Sequence, residues 1–139
     1  MTEDEMHAAL LQIDGKKICG GWTKINLGSA GGAMMMKQCD CEDGTCVSEA
    51  KWAQPHYFQS YDAIIPLIAR LDEGNMASSN PSDYPRWKFV SCLARELKLK
   101  LWNDGNFIGA PNGIWALISN ATPTQLAVSV IKAKNLWKD

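Results

Sequence analysis

The sequence predicts an α+β fold: a small antiparallel sheet packed with three to four helices in a layered sandwich. Three observations predict it. Two capping-box signatures, Thr2 with Glu5 and Thr122 with Gln125, each precede apolar residues at helical spacing. Short alternating stretches around 20–27 and 97–102 have the period of strands. Turn-forming residues such as Asn103-Asp104-Gly105 and Pro111-Asn112-Gly113 separate further short runs. The 139 residues suit a single domain over 1–139, with a loop-like insertion at about 28–47.

The first helix begins behind Thr2 and presents Met6, Ala9, Leu10 and Ile13, with Gly15 at its end. Gly20 to Leu27 alternates as a short strand, the glycine-rich 28–32 reads as a loop, and Met34-Met35-Met36 starts a returning strand. Turn-rich chain follows from Cys39 to Gln54. Ser60 is placed to cap a helix running to Leu71, in which Pro66 lies too deep for the first turn and predicts a kink or a shortened segment. Residues 72–84 read as a surface loop.

A third helix is expected from Pro85, with Phe89, Val90, Leu93 and Leu97 facing the core. The perfect alternation of 97–102 then switches to strand near Lys98. Phe107-Ile108 pairs back, and Ile114 to Ile118 reads as a buried strand entering the last helix. There Thr122 caps, Pro123 takes the first helical position, and Leu126, Ala127, Val130 and Ile131 are buried. Trp137 closes the segment as an apolar anchor.

Composition limits function. A net charge of -1 supplies no field for extended DNA and too little acidity for a DNA mimic. An acidic start and the absence of a long apolar run lead us to expect no signal peptide, no membrane span and a cytoplasmic protein. Five cysteines in such a compartment are free thiols or metal ligands rather than a disulfide framework.

Cys39-Asp40-Cys41-Glu42-Asp43-Gly44-Thr45-Cys46 is the densest group of candidate ligands. Three thiolates on one loop could bind zinc, with Cys19, His56 or His7 as the fourth ligand. The spacing lacks the paired Cys-x2-Cys knuckles of zinc ribbons, so a loop of half-buried thiols competes with this reading. Cys92, on an apolar helix face, is expected in the core. A thiol nucleophile would need His7 or His56 as its base, and nothing local supplies that pairing. The 28–32 loop has no following Lys and Ser or Thr, so it fails as a nucleotide-triphosphate loop.

Six tryptophans exceed what so small a core requires, and they interleave with arginines in a way that suits stacking on a base or a protein surface. Candidate ligand-binding residues are Trp22, Tyr57 and Trp87 for stacking, Arg86 for phosphate, and Asp62, which serves the helix dipole at least as readily.

Trp52, Pro55, Tyr57 and Ser60-Tyr61-Asp62-Ala63, followed by Ile118-Ser119-Asn120-Ala121-Thr122-Pro123-Thr124-Gln125 and Leu136-Trp137, resemble the bacteriophage and prophage family known as the phage ABA sandwich domain. Cys19-Gly20-Gly21-Trp22 stands where that family has a Cys-Gly-Trp element, with one extra glycine, and 28–47 departs from the family's pattern. The resemblance implies layered α and β elements in an infected bacterial cell. It brings no catalytic residues. With the aromatic excess, it leads us to expect a non-enzymatic, phage-encoded counter-defence protein that sequesters a cyclic nucleotide signal or blocks a host defence protein, and that could form a homo-oligomer. The alternatives are a zinc-stabilised interaction module and a nucleotide-processing enzyme.

Overall fold

The computed structural model describes residues 1–71, 84–98, 102–103, 106–107 and 117–139. It is an α+β protein with helices α1 (Glu3–Ile13), α2 (Tyr61–Ala69), α3 (Pro85–Glu96) and α4 (Pro123–Ala133). Its strands are β1 (Lys17–Cys19), β2 (Trp22–Asn26), β3 (Ala33–Lys37), β4 (Cys46–Ser48), β5 (Trp102–Asn103) and β6 (Asn106–Phe107). Two compact units are present: Met1–Leu10 with His56–Asp139, and Leu11–Pro55. No helix among the described residues is long and apolar enough to cross a membrane.

The larger unit is helical at its core. Both capping boxes form. The Thr2 amide donates to Glu5 Oε2 at 2.6 Å while the Glu5 amide donates to Thr2 Oγ1 at 3.2 Å. Thr122 and Gln125 make the same reciprocal pair, at 2.9 and 3.2 Å, in front of α4. Each box satisfies amides that the first helical turn would otherwise leave unpaired.

From α2 the unit buries Ile64, Leu67 and Ile68, from α3 Phe89, Val90, Leu93 and Ala94, and from α4 Leu126, Ala127, Val130 and Ile131. Burying each large apolar side chain contributes about 1.5–3 kcal/mol before the entropy of ordering it. Helix α4 packs on both α2 and α3. Two side-chain bonds tie its start to the segment around α2: the Tyr61 hydroxyl donates to Ala121 O at 2.6 Å, and the Thr124 hydroxyl donates to Phe58 O at 3.1 Å.

Several elements differ from the sequence reading. Ser60 stands at the N-cap of α2, but its side chain makes no capping bond there. Helix α2 runs through Pro66, which stands on its exposed side and has no amide to give to the helix ladder. The expected strand at 114–118 falls partly outside the described residues, and Leu117 to Ser119 is helical. The switch read near Lys98 falls there: α3 ends at Glu96, Leu97 is its C-cap, and Lys98 turns the chain at φ 57°, while 99–101 lie outside the described residues. Trp102–Asn103 then pairs antiparallel with Asn106–Phe107, as the Asn-Asp-Gly signal predicts. The loop expected at 72–84 lies outside the described residues up to 83, as do the turn at 111–113 and Ile108.

The smaller unit is built of β elements. Gly15, at φ 71°, ends α1 by accepting the left-handed conformation, with its amide bonded to Gln12 O and that of Lys16 to Leu11 O. The chain then enters β1, which pairs in parallel with β4, Lys17 opposite Cys46 and Cys19 opposite Ser48. Parallel neighbours need a crossover. Here that crossover carries the antiparallel hairpin β2–β3, in which Trp22 faces Lys37 and Ile25 faces Met34.

Candidate metal centre

The parallel pairing of β1 with β4 brings the ends of the crossover together. Cys19 closes β1, Cys46 opens β4, and Cys39 and Cys41 lie on the chain between β3 and β4. All four sulfurs lie within 4.8 Å of one another. Cys39 Sγ is 3.5 Å from Cys46 Sγ, and Cys41 Sγ is 4.0 Å from Cys19 Sγ. None of the cysteines is in a disulfide. A tetrahedral zinc with bonds of about 2.3 Å separates its sulfur ligands by about 3.8 Å. The cluster therefore fits a single ion with small shifts, and the fourth thiol is Cys19 rather than a histidine.

The surrounding residues explain why these thiols converge. Gly21 is required by close approach: a Cβ there would stand 3.1 Å from Cys39 Cα and 3.2 Å from its nitrogen, and nearer still to its Cβ. The Gly21 carbonyl accepts from the Gln38 amide at 2.7 Å, and the Gly21 amide lies 3.4 Å from Cys19 Sγ. One glycine thus draws two of the ligand-bearing segments together. Gly20 has no such constraint, because a Cβ there would meet only the end of the Glu49 side chain at 3.4 Å.

Lys37 organises the loop from below. Its ammonium donates to Cys41 O and to Cys39 O, the latter at 3.2 Å, and lies 3.6 Å from the exposed Asp43 carboxylate. Beyond it, the Thr45 amide and hydroxyl both donate to Glu42 O, at 3.1 and 2.6 Å, closing the turn that delivers Cys46. Cys46 is buried and the other three cysteines of the cluster are half-buried.

Cys39 and Cys41 are shifted in opposite directions. The Cys41 backbone amide holds the Cys39 thiol down, to about 7, whereas the bond of Cys41 to the Cys39 sulfur pushes Cys41 up, to about 11. Both follow from crowding. Negative charge on one sulfur is stabilised by donors around it and opposes charge on the next. A divalent cation would remove that opposition, and the four crowded thiols are close enough together to hold one.

The candidate ligand-binding residues are dispersed. Trp22 is on β2 in the smaller unit, half-buried, and its indole nitrogen is the one buried side-chain polar atom among the described residues that lacks a hydrogen-bond partner. Tyr57, Asp62, Arg86 and Trp87 belong to the larger unit. Tyr57 is fully buried with its ring 5.6 Å from that of His7, a core position rather than a stacking platform. Asp62 and Arg86 are exposed and Trp87 is half-buried. Cys92 is half-buried on α3 rather than enclosed in the core. The residues that sequence reasoning missed are Gly21 and Lys37. The pair of glycines before Trp22 was their nearest visible signal.

No protein-family model matches the chain, and neither a curated protein sequence nor a solved structure is similar to it.

Proposed function

We propose that Leu11–Pro55 is a zinc-ordered module whose metal is structural, and that the chain works by binding rather than by catalysis. The observation that carries this is the convergence of four thiols, from the end of β1, the loop after β3 and the start of β4, to within 4.8 Å. Four protein ligands fill the tetrahedron. A catalytic zinc keeps one position open for water or substrate. The four-sulfur set also accepts iron, and the choice between the two metals follows from their supply in the cell as much as from affinity.

Cobalt substitution tests the reading. One equivalent of Co2+ added to the reduced, metal-free chain should give the intense visible bands of tetrahedral cobalt thiolate, and zinc should abolish them. A pale octahedral spectrum, or saturation only at several equivalents, contradicts a four-thiolate site.

Exposed apolar side chains support the binding role. Trp52 is 49% exposed, and Leu27, Met34 and Met36 stand out on the β2–β3 hairpin. Such adaptable methionine-rich surfaces suit contact with a partner. We extend the proposal to the expectation raised by the phage resemblance, that the partner is a host defence protein or a cyclic nucleotide. Calorimetry with cyclic dinucleotides tests the second: binding without turnover supports sequestration, and hydrolysis of the nucleotide contradicts a non-enzymatic role.

A further inference from the structure

Four gathered thiols are also two unformed disulfides. Four cysteines can pair in three ways. One pairing joins contacts that the fold already makes: Cys39 with Cys46 across 3.5 Å, and Cys41 with Cys19 across 4.0 Å. A disulfide requires about 2.05 Å between sulfurs, so each pair closes by a rotation of side chains and a small shift of the loop. Joining Cys39 to Cys41 would instead close a ring over Asp40 alone, and neither that pairing nor Cys19 with Cys39 and Cys41 with Cys46 uses these two sulfur contacts.

We infer that the cluster is a peroxide-modification site, in which two equivalents of hydrogen peroxide convert the four thiols into the disulfides Cys39–Cys46 and Cys19–Cys41 and expel the metal. The expulsion of metal rests on the zinc reading above; the pairing of thiols does not. The half-buried Cys39 is reachable, and buried Cys46 waits behind it. The Cys39 sulfur attacks one peroxide oxygen, the O–O bond breaks, one water leaves, and Cys39 becomes a sulfenic acid. The Cys46 sulfur then attacks that sulfur. The S–S bond forms, the S–O bond breaks, and the second oxygen leaves as water.

Each disulfide takes two electrons from two thiols and gives them to one peroxide. Cys41 and Cys19 repeat the sequence with the second equivalent. Starting from four zinc thiolates, the two steps take four protons from solvent and release Zn2+, because the thiolate is the metal ligand and a disulfide sulfur carries no such charge. Cys92 is the single cysteine of its own unit and serves as an internal control.

The test is a titration of the reduced, zinc-loaded full chain with hydrogen peroxide. Released zinc is read with a chelating dye, and disulfides are mapped after free thiols are alkylated. Trypsin combined with a protease that cuts before aspartate separates every ligand, because cleavage before Asp40 and Asp43 puts Cys39, Cys41 and Cys46 on different peptides. We expect one zinc released per two peroxides, the peptides of Cys39 and Cys46 joined, those of Cys41 and Cys19 joined, and Cys92 alkylated. Dithiothreitol with zinc should restore the starting protein.

Any other pairing, oxidation to sulfinic acid, or retention of zinc in excess peroxide overturns the inference. A Cys19→Ser chain should still join Cys39 to Cys46 and leave Cys41 alkylated. Should the chain as isolated bind no zinc, the metal reading alone fails, and the same digest of the metal-free protein still decides whether the two pairs form.

Discussion

Gly21 and Cys39 approach so closely that no side chain fits between them: a Cβ on Gly21 would lie 3.1 Å from Cys39 Cα. The contact joins the start of β2 to the ligand-bearing loop, and Gly21 has no unusual backbone angle to explain its presence otherwise. A Gly21→Ala chain should therefore hold zinc at least tenfold more weakly, measured by competition with a chelator. Gly20→Ala, where the neighbour is a flexible glutamate end, should match the parent. Equal affinities in both variants would show that the approach does not form the site.

Lys37 should matter through geometry and charge together. Four thiolates on Zn2+ leave a double negative charge, and the Lys37 ammonium is anchored on the carbonyls of two of those ligands. Lys37→Met keeps the aliphatic stem and removes the donors and the charge. We expect weaker zinc retention and faster amide exchange across residues 39–43, with little change in the amides of α3 and α4. Unaltered exchange in the loop would contradict an organising role.

The cysteines should sort by position. Cys46→Ser removes a buried ligand and should abolish stoichiometric zinc binding, whereas Cys92→Ser lies outside the cluster and should leave one zinc per chain. Metal content of the two purified variants checks both statements. Loss of zinc from Cys92→Ser would require a different ligand set.

The helix caps give a prediction independent of metal. Thr122→Ala removes one half of a capping box and should cost about 1 kcal/mol, read as a lower denaturation midpoint in urea. At the other box the Thr2 amide, aided by the Thr2 hydroxyl, holds the Glu5 carboxyl below its usual value. A folded value below the unfolded one means that the cap's contribution is present above the ordinary carboxylate range and is lost as pH falls through the lowered value. Glu5 should titrate below the ordinary glutamate value by NMR, and Thr2→Ala should restore only part of the difference, because the backbone donor remains.

What could be read from sequence was local. Both capping boxes span four residues, and the α3 face of Phe89, Val90 and Leu93 follows directly from helical spacing. The three clustered cysteines were visible for the same reason. The fourth candidate was not, since choosing Cys19 over His7 or His56 depends on β1 pairing in parallel with β4, which brings together Cys19 and Cys46 from 27 positions apart in sequence, and on strands of three residues each. Strands that short carry no readable period. The switch near Lys98 was legible from the change of period there, and Lys98 turns the chain at that position before Trp102 enters β5.

Native mass spectrometry of the full chain, purified without chelator under reducing conditions, tests the central claim most directly. The account predicts a chain carrying one zinc, with four fewer protons than the metal-free thiol form and with the metal lost after Cys46→Ser. A bare chain with five free thiols, unchanged in melting temperature when zinc is added, would contradict it.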